Sequence, residues 1–242
     1  MANGPVELYF ILGATGSGRR AVLADLISEG LLPGSRPVVA LCEGEPASAA
    51  DEALRSAGAE FVRWTWRRPE IEYSVPEDAT QLFLLADGRA NPVDQVEALR
   101  DWLTAHPRVR LARILLFVNA HLAQTQPALA PWFEACAHFA DVLLVTHREG
   151  VDPKWVAGFQ KQFRDAQCVF LFEAVRGHTV KNPALILAPE ARRVSQVFDE
   201  EMELPDESDE EIEAAKPEND RYFARKPGGT RVETLPDINK YL

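Results

Sequence analysis

The sequence predicts an α/β domain of three layers, with helices on both faces of a mainly parallel central sheet. Three observations predict it. Short runs rich in Val, Leu, Ile and Phe recur along the chain, mostly continuous rather than alternating, as in strands buried on both faces. Between them lie stretches with apolar residues three or four apart, the helical period. A glycine-rich segment, Gly13-Ala14-Thr15-Gly16-Ser17-Gly18-Arg19-Arg20, joins the first apolar run to the first helical stretch.

The expected strands are Glu7–Leu12, Pro37–Cys42, Glu60–Trp66, Gln81–Ala86, Ala112–Asn119, Asp141–Thr146 and Cys168–Phe172. The first helix is expected over Ala21 to Ile27. Val93, Val96, Leu99 and Leu103 mark a second helix, and Trp155, Val156, Phe159 and Phe163 a third. Pro92 and Pro153 fall where a first helical turn begins, and Asn91 and Asp152 precede them as caps. The domain is expected over residues 5–188, and Glu190 to Val197 is expected to extend a final helix.

The tail has a different composition. Between Asp199 and Asp220 stand twelve acidic residues and one basic residue, so this segment holds the whole net charge of −11. Acids and bases balance in the remainder, so overall acidity says nothing about partners of the body. Such a segment cannot bury enough surface to order itself. Residues 189–242 are therefore expected to be a largely disordered acidic tail, whose removal from 199 onward leaves the thermal midpoint nearly unchanged. Tyr222, Phe223, Leu235, Ile238 and Tyr241 beyond it form a short candidate motif for a protein partner.

Cys42, Cys136 and Cys168 are odd in number and widely spaced, which gives no disulfide framework and no zinc pattern. The N-terminus lacks a leader pattern, and no run approaches the roughly 20 apolar residues that span a membrane. A cytoplasmic protein without membrane contact is the expectation. The neutral body argues against general nucleic-acid binding, although Trp64, Trp66, Arg67 and Arg68 interleave aromatics with cations. The five histidines show no metal-ligand spacing, and no nucleophile–base pair is visible, so no catalytic or metal residue is assigned.

The glycine segment carries the functional argument. Its spacing, between strand and helix, is that of a phosphate-binding P-loop, in which backbone N–H groups cradle phosphates. In a working loop a lysine reaches the β- and γ-phosphates and the next Ser or Thr binds Mg²⁺. Those positions are Arg19 and Arg20. The candidate phosphate or nucleotide residues are Gly13, Gly16, Ser17, Gly18, Arg19 and Arg20.

The loop with its following Val22-Leu23 and Leu26-Ile27 resembles the start of the CobW-like metallochaperone GTPases. The resemblance continues through Val38–Glu43, Asp87-Gly88-Arg89-Ala90-Asn91-Pro92 and Phe139–Val145 into Thr146-His147-Arg148-Glu149, covering roughly residues 6–175. It implies a P-loop NTPase fold and GTP as ligand. Thr146, His147 and Glu149 then stand at the base-reading positions, and Asp87 lies near the phosphates or their metal, an ordinary Asp-Gly turn being the alternative. Several family residues are replaced. Leu85 falls on the Walker B acid, and no cysteine stands near Phe61–Arg68, where the family's metal motif belongs. Mg²⁺ is not expected to be recruited, nor GTP to be hydrolysed appreciably.

Three readings follow: a degenerate P-loop protein acting by partner binding, an active divergent GTPase or metallochaperone, and an NAD(P)-binding Rossmann-like protein. The last draws on Gly13-Ala14-Thr15-Gly16 followed by Ala57-Gly58-Ala59-Glu60. Strand order separates them. The dinucleotide fold sets the glycine strand beside the second strand, whereas the P-loop reading ties it to the neighbourhood of the Gln81 strand.

Overall fold

The continuous apolar runs become strands. The computed structural model describes residues 4–199 and 220–242. Its first half runs β1 (Val6–Gly13), α1 (Arg19–Gly30), β2 (Pro37–Cys42), α2 (Ala50–Ser56), β3 (Glu60–Arg67), β4 (Glu70–Glu72) and β5 (Gln81–Leu85). There follow α3 (Pro92–Thr104), β6 (Val109–Asn119), α4 (Ala120–Thr125), α5 (Ala130–Phe139) and β7 (Val142–Thr146). The last elements in this set are α6 (Pro153–Asp165), β8 (Leu171–Ala174) and α7 (Pro183–Leu187).

Among the described residues the strands form one eight-stranded sheet in the order β4-β3-β2-β5-β1-β6-β7-β8. Every pairing is parallel except the β3–β4 hairpin at one edge. Alternation along β1 explains why its run reads as uninterrupted. Leu8, Phe10 and Leu12 face one apolar cluster, with α3, α5 and α6, while Tyr9 and Ile11 face the other, with α1, α2 and α7. The two faces need apolar side chains in alternate positions, so the run from Leu8 to Leu12 is apolar throughout.

Strand order decides between two of the readings. β5 lies between β1 and β2, so the glycine strand is not beside the second strand. The dinucleotide arrangement is therefore not this fold.

The helix starts follow their caps. Asn91 accepts from the Val93 N–H at 2.9 Å and Asp152 from the Lys154 N–H at 2.8 Å, each one residue before the proline. Beyond shifts of one to three residues at the ends of β1, α1, β3, β5, β6 and β7, some elements differ from expectation. β4 was not expected. β8 begins at Leu171 rather than Cys168, because Gln167 takes a left-handed φ of 59° and the Cys168 N–H closes back on Phe163. Glu190–Val197 is not helical. The N–H groups of Arg192 and Arg193 donate to the buried Asp141 carboxylate at 2.6 and 3.1 Å, and that of Ser195 to the His138 carbonyl, which removes them from any helical ladder.

The tail expectation divides. Residues 200–219, most of the acidic run, lie outside the described residues. Residues 220–242 pack as a strap over α3 and α5, with Tyr222, Phe223 and Ile238 between 2% and 6% exposed. Phe223 stacks on Phe139 at 5.7 Å. Arg231 pairs with Asp94 and Glu97 of α3, and Asp220 accepts from Ser195 Oγ at 2.6 Å while sitting 2.7 Å from His138 Nε2. Averaged composition hid this, because the apolar anchors are few and follow a long charged run.

These contacts lead us to expect a contribution of the strap to stability, where the sequence led to the expectation of an unchanged midpoint. Phe223→Ala should cost about 3 kcal/mol as a buried aromatic truncation. At about 2–4 °C per kcal/mol for a chain of this size, thermal unfolding should shift down by about 6–12 °C. An unmoved midpoint in circular dichroism would show that the strap contributes nothing.

Candidate functional site

The loop at the end of β1 holds its shape through glycines. Gly13 has φ +136°, and a Cβ there would lie 2.6 Å from the Phe117 carbonyl oxygen. Gly18, at φ +77°, is the residue before α1, and a Cβ on it would meet His147 Cε1 at 2.9 Å. The turn after β5 presses on the loop from the other side. The Thr15 N–H donates to the Gly88 carbonyl at 3.1 Å, and a Cβ on Gly88 would lie 2.3 Å from Thr15 N. That approach leaves room only for glycine.

Arg19 and Arg20, the first residues of α1, are buried, at 4% and 8% exposure. Arg19 turns inward: Nη1 donates to the Ala86 carbonyl at 2.7 Å and Nη2 to Glu45 Oε1. Arg20 donates through Nη1 to Asp51 Oδ1 at 2.8 Å and through Nη2 to Glu45 Oε2 at 3.0 Å. Glu45 Oε1 also accepts from Thr15 Oγ1 at 3.2 Å and from the Gly88 N–H at 3.3 Å. Two guanidinium and two carboxylate groups thus form a buried network with no net charge. Glu45 thus meets both of the loop's cations from inside the protein.

The electrostatics agree with that geometry. Burial pushes the Glu45 carboxyl up, but Arg19, the Gly88 N–H and Arg20 together outweigh it and hold the group below its ordinary value of 4.5. Burial pulls the Arg19 guanidinium down and Glu45 pulls it back; a guanidinium stays charged throughout. Burial also lowers His147, which keeps the imidazole at the mouth of the loop neutral near pH 7.

The other expected site residues make the following contacts. Thr146 is 2% exposed, and its hydroxyl donates toward the Ser17 carbonyl (2.8 Å) and the Val118 carbonyl (3.1 Å), fastening the loop to β6 and β7. His147, at φ 49°, lies against Gly18 and its Nδ1 is 3.1 Å from Thr146 Oγ1. Glu149 is exposed, and it is its carbonyl oxygen, 2.6 Å from His121 Nε2, that makes a contact. The Asp87 carboxylate accepts from the Arg89 N–H at 2.9 Å, the hydrogen bond of an Asp-Gly turn. Trp64 is buried with Nε1 donating to the Leu85 carbonyl, while Arg68 covers Trp66 and Arg67 pairs with Glu72. Trp66 and Arg67 pair with β4, whereas Trp64 lies opposite Cys42 of β2.

An open groove of about 350 Å³ remains over the loop, lined by Thr15, Ser17, Arg20, Glu45, Ser48 and His147 among others. Its residues do not fit Mg²⁺ with a nucleoside triphosphate. Arg20 stands at the metal-ligand position, Leu85 is wholly buried in an apolar cluster, and a carboxylate faces the loop. Among the described residues no group of three or more His, Cys, Asp or Glu gathers as a metal site. Glu45 and Asp51 are the residues that sequence reasoning passed over. The available signal was charge balance, since two arginines opening a buried helix require acids nearby.

Removing Glu45 should leave the two guanidinium groups with only Asp51. Glu45→Gln is expected to cost about 3 kcal/mol at neutral pH, as for a broken buried pair. The sign of its pH dependence follows from the lowered carboxyl. Glu45 stabilises the fold above its unfolded value of 4.5 and loses that contribution as pH falls through the lower folded value. Urea unfolding at neutral and acid pH should therefore show the gap between wild type and variant closing below about pH 4.

No protein-family description and no curated protein matches the sequence. Similar solved structures include the Zn(II)-bound YjiA GTPase from E. coli, at 17% identity over 72% of this chain and TM-score 0.43. The chain spans 58% of that protein's length. They also include hydrogenase maturation factor HypB from Archaeoglobus fulgidus, at 14% identity, 70% of this chain, 81% of that one and TM-score 0.45. The signal recognition particle receptor FtsY from Elizabethkingia anophelis with GDP is similar at 17% identity, 83% of this chain, 66% of that one and TM-score 0.49. The fold rests on the strand order and on the glycine loop that ends β1: a three-layer α/β protein of P-loop type.

Proposed function

We propose that this chain is a degenerate, CobW-like member of the P-loop GTPase group that does not hydrolyse nucleotide and acts by binding a protein partner in the cytoplasm. One observation carries the reading: both arginines at the chemically active positions are committed to Glu45 and Asp51 inside the protein. Phosphoryl transfer depends on positioning and charge stabilisation around the transferred group. A neutral, internally saturated network supplies little of either. The polypeptide outside the loop, with an acidic run and a docked strap, is the region where partner recognition is placed.

Calorimetry with GTP, ATP and NADPH, each with and without Mg²⁺, tests it together with phosphate release. Mg²⁺ should not strengthen binding of either triphosphate, and release should stay below about 10⁻⁴ s⁻¹, slower than an unassisted small GTPase. Tight Mg²⁺-dependent GTP binding with turnover would overturn the proposal in favour of a divergent GTPase.

A further inference from the structure

The turn at residues 87–91 is the piece that closes the loop, and it is gripped from three sides. On the loop side, Gly88 accepts from Thr15 N–H and donates to Glu45. On the helix side, Gln95 of α3 takes the Asp87 N–H on Oε1 at 2.6 Å and donates through Nε2 to the Asp87 carbonyl at 3.0 Å. The third grip comes from the strap. Asn239 Nδ2 donates to the Arg89 carbonyl at 2.9 Å, one residue beyond Gly88, and the neighbouring Ile238 is 2% exposed. Asn239 is itself oriented by Asp237, whose Oδ1 accepts from its backbone N–H and from Nδ2. Arg231 of the same strap pairs with Asp94, adjacent to Gln95.

We infer that the C-terminal strap is an intramolecular latch that holds the 87–91 turn down on the phosphate loop, so that lifting the strap opens the loop. The contacts are continuous: strap to Arg89, Arg89 to Gly88, Gly88 to Thr15 and Glu45. The approach of Gly88 to Thr15 has no slack, since a Cβ on Gly88 would lie 2.3 Å from the Thr15 nitrogen, so a displaced turn cannot leave the loop unchanged. The strap is attached through short polar contacts and three buried apolar side chains, an attachment that a competing surface can replace. The inference rests on the closed geometry of the loop and not on the absence of hydrolysis.

Hydrogen exchange on the full chain tests it without nucleotide, so its outcome is separate from that of the turnover assay. Asn239→Ala removes the grip on Arg89, and Arg231→Ala loosens the strap where it meets α3. In either variant, segments covering residues 13–20 and 86–91 should exchange about tenfold faster, the effect of losing one net hydrogen bond from a local opening. Exchange in β6 should stay as in the wild type. Faster exchange in residues 220–242 alone, with the loop unchanged, would overturn the latch. So would an equal rise across β6, which would mark general destabilisation. If Asn239→Ala does not fold, Arg231→Ala decides by the same two readings.

Discussion

The Glu45 carboxylate, held between two buried guanidinium groups, is the interaction on which the end of the sheet depends. A guanidinium cannot shed its charge when buried, so each arginine at the start of α1 must meet an acid or leave the interior. That requirement folds the segment after β2 over the loop, because Glu45 and Asp51 lie there. It also draws in the turn after β5, whose Gly88 N–H shares the same carboxylate oxygen with Arg19. Three segments far apart in sequence are thereby fixed by one side chain. Replacing such a network by apolar groups is often neutral, whereas removing one member strands the rest. Its position is therefore set by specificity of arrangement as much as by stability.

A second pair of buried charges works toward the middle of the sheet and shows the same logic in simpler form. Arg113 of β6 donates through Nη1 to the carbonyls of Leu185 and Ile186 and through Nε to that of Glu190. Asp141, wholly buried, accepts from the Ile114, Arg192 and Arg193 N–H groups. Between them they pin residues 185–193 to the sheet. The backbone amides that would have built a helix there are spent on Asp141. Charge in this protein is used to fasten irregular chain to regular chain, at both places without leaving a net charge exposed to a ligand.

This explains what could be read from the sequence. β2 was legible to the residue, because its apolar run is bounded and buried on both faces. The glycines of the loop were legible, since each meets a neighbour or takes a left-handed φ that spacing alone implies. The partners of Arg19 and Arg20 were not, because the pairs span 25 to 31 residues and no local pattern marks them. Thr146 and His147, expected at the base-reading positions, lie beside the loop. Threonine there spends its hydroxyl on the loop's own backbone, which only the packing reveals. The strap was hidden for the opposite reason: its anchors are visible residues whose weight is diluted by the charged run before them.

The remaining attraction of the loop for an anion can be weighed from its parts. The arginines and their acids cancel, and His147 is kept neutral by burial. What is left is the dipole at the start of α1, equivalent to roughly half a positive charge at most. A nucleoside triphosphate brings several negative charges to a wall whose own charges already cancel. The dipole alone favours a single small anion over a polyphosphate, while the neutral network favours none. The glycine frame gives the chain a tight turn between strand and helix, against which the Gly88 turn packs.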